Sequence, residues 1–205
     1  DIYLEEARDS RRGPWSVGVP GEAKGLAELH RIGGCMAWSD LVQPALVLAR
    51  DGFSIERDLA LALARRSEEV LADEGLARAF SREGKVLDEG ALCRRPALAE
   101  TLAYLQVHGG DSLYEGPLAL SLSGFLANQG LPWTASELAG YEVAHRDVLS
   151  GSYRGHTVYS MGPPSSGGLA LLESLGILEA LGHQSMDFAE EAWMRALVAA
   201  LRHSF

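Results

Sequence analysis

The sequence predicts an α+β fold, in which a long helical portion is followed by a pair of strands and then by further helices. Apolar residues recur at helical spacing as far as about residue 140, but from Tyr141 they recur every second residue. The helical period returns after the strands. We therefore expect a helical portion at 22–140, a hairpin with the loop that follows it at 141–168, and terminal helices at 168–205, all within one domain.

Composition bounds the class of protein. The 205 residues are 47% hydrophobic and 22% charged, which is enough for one or two domains with a core. A net charge of −10 disfavours nucleic acid as a partner. The two cysteines, Cys35 and Cys93, are too few for a disulfide framework, and we expect both to be half-buried small apolar residues.

Glycine and proline divide the helical portion into elements. Three helices are expected first: one over Glu22 to Ile32, one capped by Ser39 and stopped by Gly52, and one capped by Ser54 that reaches Leu71. The segment Asp73 to Arg95 is charged and contains three glycines. It is therefore expected to be a loop with at most a short extended piece.

Three more helices are expected before the strands. Pro96 suits the first turn of a helix that Gly109 ends, and Asp111 can cap the next, which ends at Gly130. Thr134 and Glu137 form a capping box for a single turn, because the Thr hydroxyl can accept from the N3 amide while the carboxylate reaches back.

The last third is predicted as a hairpin followed by two helices. Strands are expected over Val143 to Leu149 and Tyr153 to Met161, joined by a turn at Gly151-Ser152. One helix then runs to Gly182, and another opens at Asp187. This second helical pattern still continues at Phe205, and the sequence does not begin with Met. We therefore expect an internal piece of a longer polypeptide, truncated at both ends.

No common catalytic motif explains the sequence. Phosphate-binding loops and the nucleophile elbow of α/β hydrolases are missing, and no two histidines are three or four residues apart. We expect each histidine to be a surface or hairpin residue rather than a metal ligand: His30, His108, His145, His156, His183 and His203.

The junction from the second strand to the next helix is the most distinctive segment. Two prolines stiffen it, a serine can cap the helix, and two glycines permit close backbone approach. Amides at such a helix start could hold a carboxylate or phosphate, but a rigid corner needs no ligand. Both interpretations stay open. The residues concerned are Pro163, Pro164, Ser165, Ser166, Gly167 and Gly168.

The stretch from Tyr153 to Gly168 resembles the Y-R-G-x-x-V-x-S-M-x-P-P-S-S-G-G segment of the γ-glutamyltranspeptidase family, with Gly162 where many members have proline. Further segments resemble the family in the same order along the chain. They are Ser16 to Gly21 (S-G-x-P-G), Leu41 to Phe53 (V-Q-P-A-x-x-L-A-R-D-G-F), Leu113 to Gly116 (F-Y-x-G) and Leu138 to Tyr141 (L-A-x-Y).

This resemblance implies part of the large subunit of an N-terminal-nucleophile hydrolase, an αββα sandwich whose central sheet the strands would join. It also implies a precursor that cleaves itself into two subunits. The Thr that opens the small subunit is then nucleophile and, through its α-amine, base. The substrate would be glutathione or a related γ-glutamyl compound, and the acceptor an amino acid, a peptide or water.

The resemblance assigns no catalytic residue within this chain. Thr101, Thr134 and Thr157 are all internal, and no metal or other cofactor is implied. The family's carboxylate-binding arginine belongs to a segment ahead of Asp1. Members are periplasmic, secreted or membrane-tethered. A cephalosporin or glutaryl acylase and an inactive structural module remain alternative functions, and the fragment alone is expected to be inactive. Because the carboxylate-binding arginine of the family would precede Asp1, Arg8, Arg11 and Arg12 are not assigned that role and are expected to be solvated.

Overall fold

The computed structural model describes residues 13–131, 133–183, 187 and 190–204. The chain divides into two compact units, Asp1–Val143 and Ala144–Phe205. No helix among the described residues is both long enough and apolar enough to cross a membrane.

The described part of the first unit is mainly helical. Its α-helices are α1 (Glu22–Gly33), α2 (Trp38–Asp51), α3 (Arg57–Arg65), α4 (Ser67–Ala72), α5 (Glu74–Phe80), α6 (Pro96–His108), α7 (Gly116–Asn128) and α8 (Ala135–Ala139), with 3₁₀ turns at Pro14–Ser16 and Gly110–Leu113.

Among the described residues of this unit, four short strands form two antiparallel pairs. Strand β1 (Phe53–Ser54) pairs with β4 (Leu92–Cys93), and β2 (Ser81–Arg82) pairs with β3 (Lys85–Val86). Together with α3 to α5 they enclose an apolar cluster. Its buried members are Ile55, Leu63, Val70, Leu87 and Cys93.

Two predicted helix starts are confirmed. Helix α6 begins at Pro96 and ends before Gly109. Thr134 caps α8 by a complete capping box, in which its hydroxyl accepts from the Glu137 amide (3.2 Å) and its own amide donates to the Glu137 carboxylate (2.7 Å).

The predictions that Ser39 and Ser54 cap helices are wrong. Helix α2 begins at Trp38, so Ser39 lies inside its first turn. Ser54 lies in β1, and the amide of Ile55 continues the extended pairing by donating to the Ala91 carbonyl (2.9 Å). The helix therefore starts only at Arg57, and Arg66 interrupts it between α3 and α4.

Asp73 to Arg95 is more structured than predicted. The Asp73 carboxylate accepts from the Leu76 amide (2.8 Å) and so caps α5, whose Phe80 packs against the apolar cluster. The prediction that Asp111 caps a helix is also wrong. Asp111 lies in a 3₁₀ turn, and α7 begins at Gly116, where φ is +67°.

The described part of the second unit is a hairpin with two helices. Strands β5 (Val148–Tyr153) and β6 (His156–Met161) are antiparallel, and α9 (Ser166–Ala180) packs against both strands and against α10 (Glu191–Ser204). Helix α10 starts later than the predicted Asp187.

The predicted hairpin is confirmed, but its first strand and its turn are displaced: β5 covers Val148–Tyr153 instead of the predicted Val143 to Leu149. Gly151 pairs with Val158 inside the ladder, and the turn falls at Arg154 and Gly155, where φ is 51° and 79°. A positive φ at both central residues matches the right-handed twist of a two-residue hairpin. Leu149, Gly151 and Tyr153 consequently share the more buried side of β5.

The cysteines differ from one another. Cys93 is fully buried and its thiol donates to the Ala79 carbonyl (3.5 Å). Cys35 is exposed, so the prediction that it is half-buried is wrong. It lies in the short connection between α1 and α2, where none of the described elements covers it.

Candidate functional site

The corner between β6 and α9 is built by backbone packing. Gly162 is buried, and a Cβ there would lie 3.2 Å from the Asp147 carbonyl oxygen. The Pro163-Pro164 peptide bond is cis. The Ser165 amide donates to the Gly162 carbonyl (3.3 Å), which closes the turn.

The two glycines of the corner have different environments. A Cβ on Gly168 would lie 2.8 Å from Ser160 Oγ, 2.9 Å from the Met161 carbonyl carbon and nearer still to the Met161 oxygen. At Gly167 the nearest atom would be Ser165 Oγ, at 3.7 Å. The expected close backbone approach is thus confirmed at Gly168 and is not found at Gly167.

The serines of the corner are less engaged than predicted. Ser165 occupies the N-cap position of α9, but its side chain makes no capping hydrogen bond. Pro163, Pro164 and Ser166 are exposed, and Ser165 is half-buried. The corner therefore presents its proline and serine side to its surroundings, while Gly162 and Gly168 hold it against the hairpin.

A buried histidine fixes the other end of the hairpin. His183 is only 4% exposed, so the prediction that it is a surface residue is wrong. Its Nδ1 lies 2.7 Å from the Leu178 carbonyl oxygen, which requires the proton on Nδ1, and its Nε2 then accepts from the Tyr153 hydroxyl. The Arg154 amide also donates to the Glu179 carboxylate (2.9 Å).

Three of the family-like segments converge on Tyr114 in the first unit. The Tyr114 side chain is 1% exposed, and its hydroxyl donates to the Pro20 carbonyl and accepts from the Lys24 amide (3.3 Å). Its ring stacks on Tyr141, with ring centroids 5.4 Å apart. Burial raises the pKa of the Tyr114 hydroxyl.

Lys24 and Gly21 complete this tyrosine cluster. Lys24 Nζ lies 5.1 Å from the Tyr114 ring centroid and donates to the Tyr141 carbonyl (2.6 Å). A Cβ on Gly21 would lie 3.1 Å from Tyr141 Cζ and closer still to the hydroxyl oxygen. The sequence identified these segments only as motifs, since nothing local shows that residues about ninety and 117 positions apart meet.

The fourth segment joins α2 to α6. The Gln106 side-chain amide donates to Gln43 Oε1 (2.7 Å) and to the Ser39 carbonyl (2.8 Å). Trp38 Nε1 donates to the Leu105 carbonyl (2.8 Å). Gln43 of this motif therefore has a structural role, as the residues around Tyr114 do.

The threonines have structural environments. Thr101 Oγ1 donates to the Ala97 carbonyl (3.1 Å) inside α6, Thr134 caps α8, and Thr157 lies in β6. Arg8, Arg11 and Arg12 lie outside the described residues. Within the described ranges there is no group of three side chains able to hold a metal ion.

Comparison with known proteins gives the family. The family model described as Gamma-glutamyltranspeptidase matches residues 1–205. The chain belongs to the gamma-glutamyltranspeptidase family. The resemblance seen in the sequence motifs is thereby confirmed over the full chain.

Individual relatives agree with this family. Glutathione hydrolase 2 of Arabidopsis thaliana is 35% identical over 205 residues, which are 100% of this chain and 35% of that protein. The Acylase ACY 1 proenzyme of a Pseudomonas species is 31% identical over 193 residues, or 94% of this chain and 35% of that protein. The chain thus spans about a third of the length of these relatives.

A solved structure confirms the fold. The crystal structure of Helicobacter pylori gamma-glutamyltranspeptidase is similar with a TM-score of 0.86 and 29% identity, over 95% of this chain and 56% of that one. The chain is therefore a mainly helical part of an N-terminal-nucleophile hydrolase fold, as the motifs predicted.

Proposed function

We propose that these 205 residues are a large-subunit segment of an enzyme that cleaves γ-glutamyl amides and passes the γ-glutamyl group to an amine or to water. The family match over residues 1–205 carries this proposal. The glutathione hydrolase from Arabidopsis supports the reaction class, because its similarity covers the whole of this chain. Glutathione is accordingly the first donor to test.

The proposed reaction takes place on a residue that this chain does not supply. The hydroxyl of an N-terminal Thr attacks the γ-glutamyl carbonyl, the α-amine accepts the hydroxyl proton, and the amide C–N bond breaks. The leaving amine takes up that proton. An acceptor amine or water then attacks the acyl-enzyme and releases the Thr hydroxyl. Precursor cleavage into two subunits would create that N-terminus, and the proenzyme name of the Pseudomonas acylase is consistent with it.

We propose a scaffolding role for the corner from Pro163 to Gly168. Gly168 allows α9 to begin directly against the end of β6, and the turn closed by Ser165 fixes its direction. This packing requires no ligand. The corner would therefore affect the reaction by holding the hairpin in place, and a change to its exposed Ser166 should alter activity less than a change to Gly168.

The test uses the complete protein, encoded by the gene from which these 205 residues come. Purified protein should release p-nitroaniline from γ-glutamyl-p-nitroanilide, and a dipeptide acceptor should increase the rate. A variant with Ala in place of the Thr that opens the small subunit should be inactive. If the unaltered protein is folded and does not release p-nitroaniline, the proposed function is wrong and an inactive module of this fold is favoured.

An acylase is the second candidate function. The similarity to the Pseudomonas acylase supports it, at 31% identity over 94% of this chain. Glutaryl amides separate the two candidates, because they lack the α-amino group of a γ-glutamyl donor. Hydrolysis of a glutaryl amide without turnover of the γ-glutamyl compound would favour the acylase.

A further inference from the structure

Helix α1 has an apolar side that nothing in the described chain covers. None of its twelve residues is buried. Leu26, Leu29 and Ile32 recur at helical spacing and are 50%, 65% and 63% exposed. An amphipathic helix buries such a side in a folded domain, since removing apolar surface from water is favourable.

Helix α2 extends this surface into a groove. The groove has a volume of about 470 Å³ and lies between Leu26 and Leu29 on α1 and Trp38, Leu41 and Val42 on α2. Leu41 is 46% exposed. We call this surface the α1–α2 groove.

We propose that the α1–α2 groove binds the apolar side of a helix supplied by the same polypeptide from outside residues 1–205. The chain spans 35% of the Arabidopsis relative and 56% of the Helicobacter chain, so these family members contain much further polypeptide. Leu26 to Ile32 extends over about 9 Å, nearly two helical turns, which suits a helix laid along the groove.

The size of the groove favours this occupant over a second copy of the chain. A stable interface between separate proteins buries about 800 Å² on each partner, from roughly 20–30 residues. Eight residues line the α1–α2 groove. A segment of the same polypeptide is subject to no comparable loss of translational and rotational freedom and so needs less contact area.

The complete protein with a single engineered thiol tests this proposal. The Leu29→Cys variant places a thiol in the groove, and Arg31→Cys places the matched control on the polar side of the same helix, where the arginine side chain is 71% exposed. Thiol alkylation is followed by peptide mass spectrometry, and the mass of the protein in solution is measured at each concentration used.

In a monomer, the thiol at position 29 should react at least about tenfold more slowly than the thiol at position 31, because reaction then requires local opening. Equal rates would overturn the proposal. If the slow alkylation at position 29 and a dimer are both lost on dilution, a second copy of the chain occupies the groove and the proposal is overturned. A complete gene product no longer than these 205 residues would also overturn the proposal, because it would contain no further segment to fill the groove.

Hydroxyl-radical footprinting of the unsubstituted protein covers the case in which Leu29→Cys does not fold. Leu29 should be labelled as weakly as Leu63, which is 6% exposed in the chain itself. Stronger labelling of Leu29 than of Leu63 would overturn the proposal. Neither readout depends on catalytic activity, so a failed γ-glutamyl assay leaves this test intact.

Discussion

Substitution of Gly168 by alanine tests the packing of the corner between β6 and α9. The new Cβ would lie 2.9 Å from the Met161 carbonyl carbon and 2.8 Å from Ser160 Oγ. Carbon atoms in contact prefer about 3.5–4.0 Å, so β6 and the start of α9 must separate. Forced overpacking costs about 1–3 kcal/mol, and in this case most of the opposing atoms are backbone.

A helical propensity gain offsets part of this cost, because alanine exceeds glycine by about 1 kcal/mol in a helix interior. Gly167→Ala and Gly176→Ala isolate that gain. Both lie in α9, and a Cβ would meet only Ser165 Oγ at 3.7 Å in the first case and no atom within 4 Å in the second. Because rigid backbone atoms place the overpacking cost at its upper end, Gly168→Ala should lower the free energy of unfolding by about 2 kcal/mol after the propensity gain is subtracted. The two controls should leave it unchanged or raise it by up to about 1 kcal/mol.

Thermal and urea unfolding of the complete protein and its three variants measure these differences. The variants should also differ in activity, with Gly168→Ala reducing p-nitroaniline release and the controls retaining it. If Gly168→Ala is as stable as Gly167→Ala, the close approach to Met161 does not determine the corner and the scaffolding role fails.

Further predictions concern Tyr114 and Glu137. Tyr114→Phe should cost about 1–3 kcal/mol in urea unfolding, because the two hydrogen bonds that the buried Tyr114 hydroxyl makes with the Pro20 carbonyl and the Lys24 amide are lost; an unchanged midpoint would contradict this. Since burial raises the pKa of Tyr114, the native state keeps its proton while the unfolded state ionises, so stability should fall as pH rises above the ordinary tyrosine value, and Tyr114→Phe should flatten this slope. The hydrogen bonds from the Thr134 amide and hydroxyl lower the pKa of Glu137, so its contribution is present above the ordinary carboxyl pKa and is lost as pH falls through the lowered value; Glu137→Gln should reduce the acid dependence of unfolding.

Local sequence signals predicted the elements that depend on local chemistry. The capping box at Thr134 and the proline start of α6 require only residues within one turn, and both are confirmed. The closeness of Gly168 to β6 could also be predicted, because a glycine pair at a junction between a strand and a helix indicates close backbone approach.

Elements decided by tertiary pairing were mispredicted. Ser54 has an excellent capping side chain, but its backbone pairs with Leu92, nearly forty residues further along. Gly151-Ser152 resembles a turn, yet the register that places Leu149 and Tyr153 together on the more buried side of β5 puts the turn three residues later.

The parts of the candidate site that sequence reasoning missed depend on long-range contacts. His183 follows the end of a helix and looks like a surface residue, but Tyr153, thirty positions earlier, supplies the hydroxyl that permits its burial. The cluster around Tyr114 likewise needs Lys24 and Tyr141. Motif order indicated the family without showing which of these residues meet.

One measurement tests the proposed reaction mechanism directly. Intact-mass spectrometry of the complete protein, quenched soon after mixing with γ-glutamyl-p-nitroanilide, should show two subunits, the smaller carrying the mass of one γ-glutamyl group on its N-terminal Thr. Turnover by an uncleaved polypeptide, or turnover in which no γ-glutamyl adduct forms on that residue, would contradict the proposal that this chain is part of a self-processing γ-glutamyl transferase.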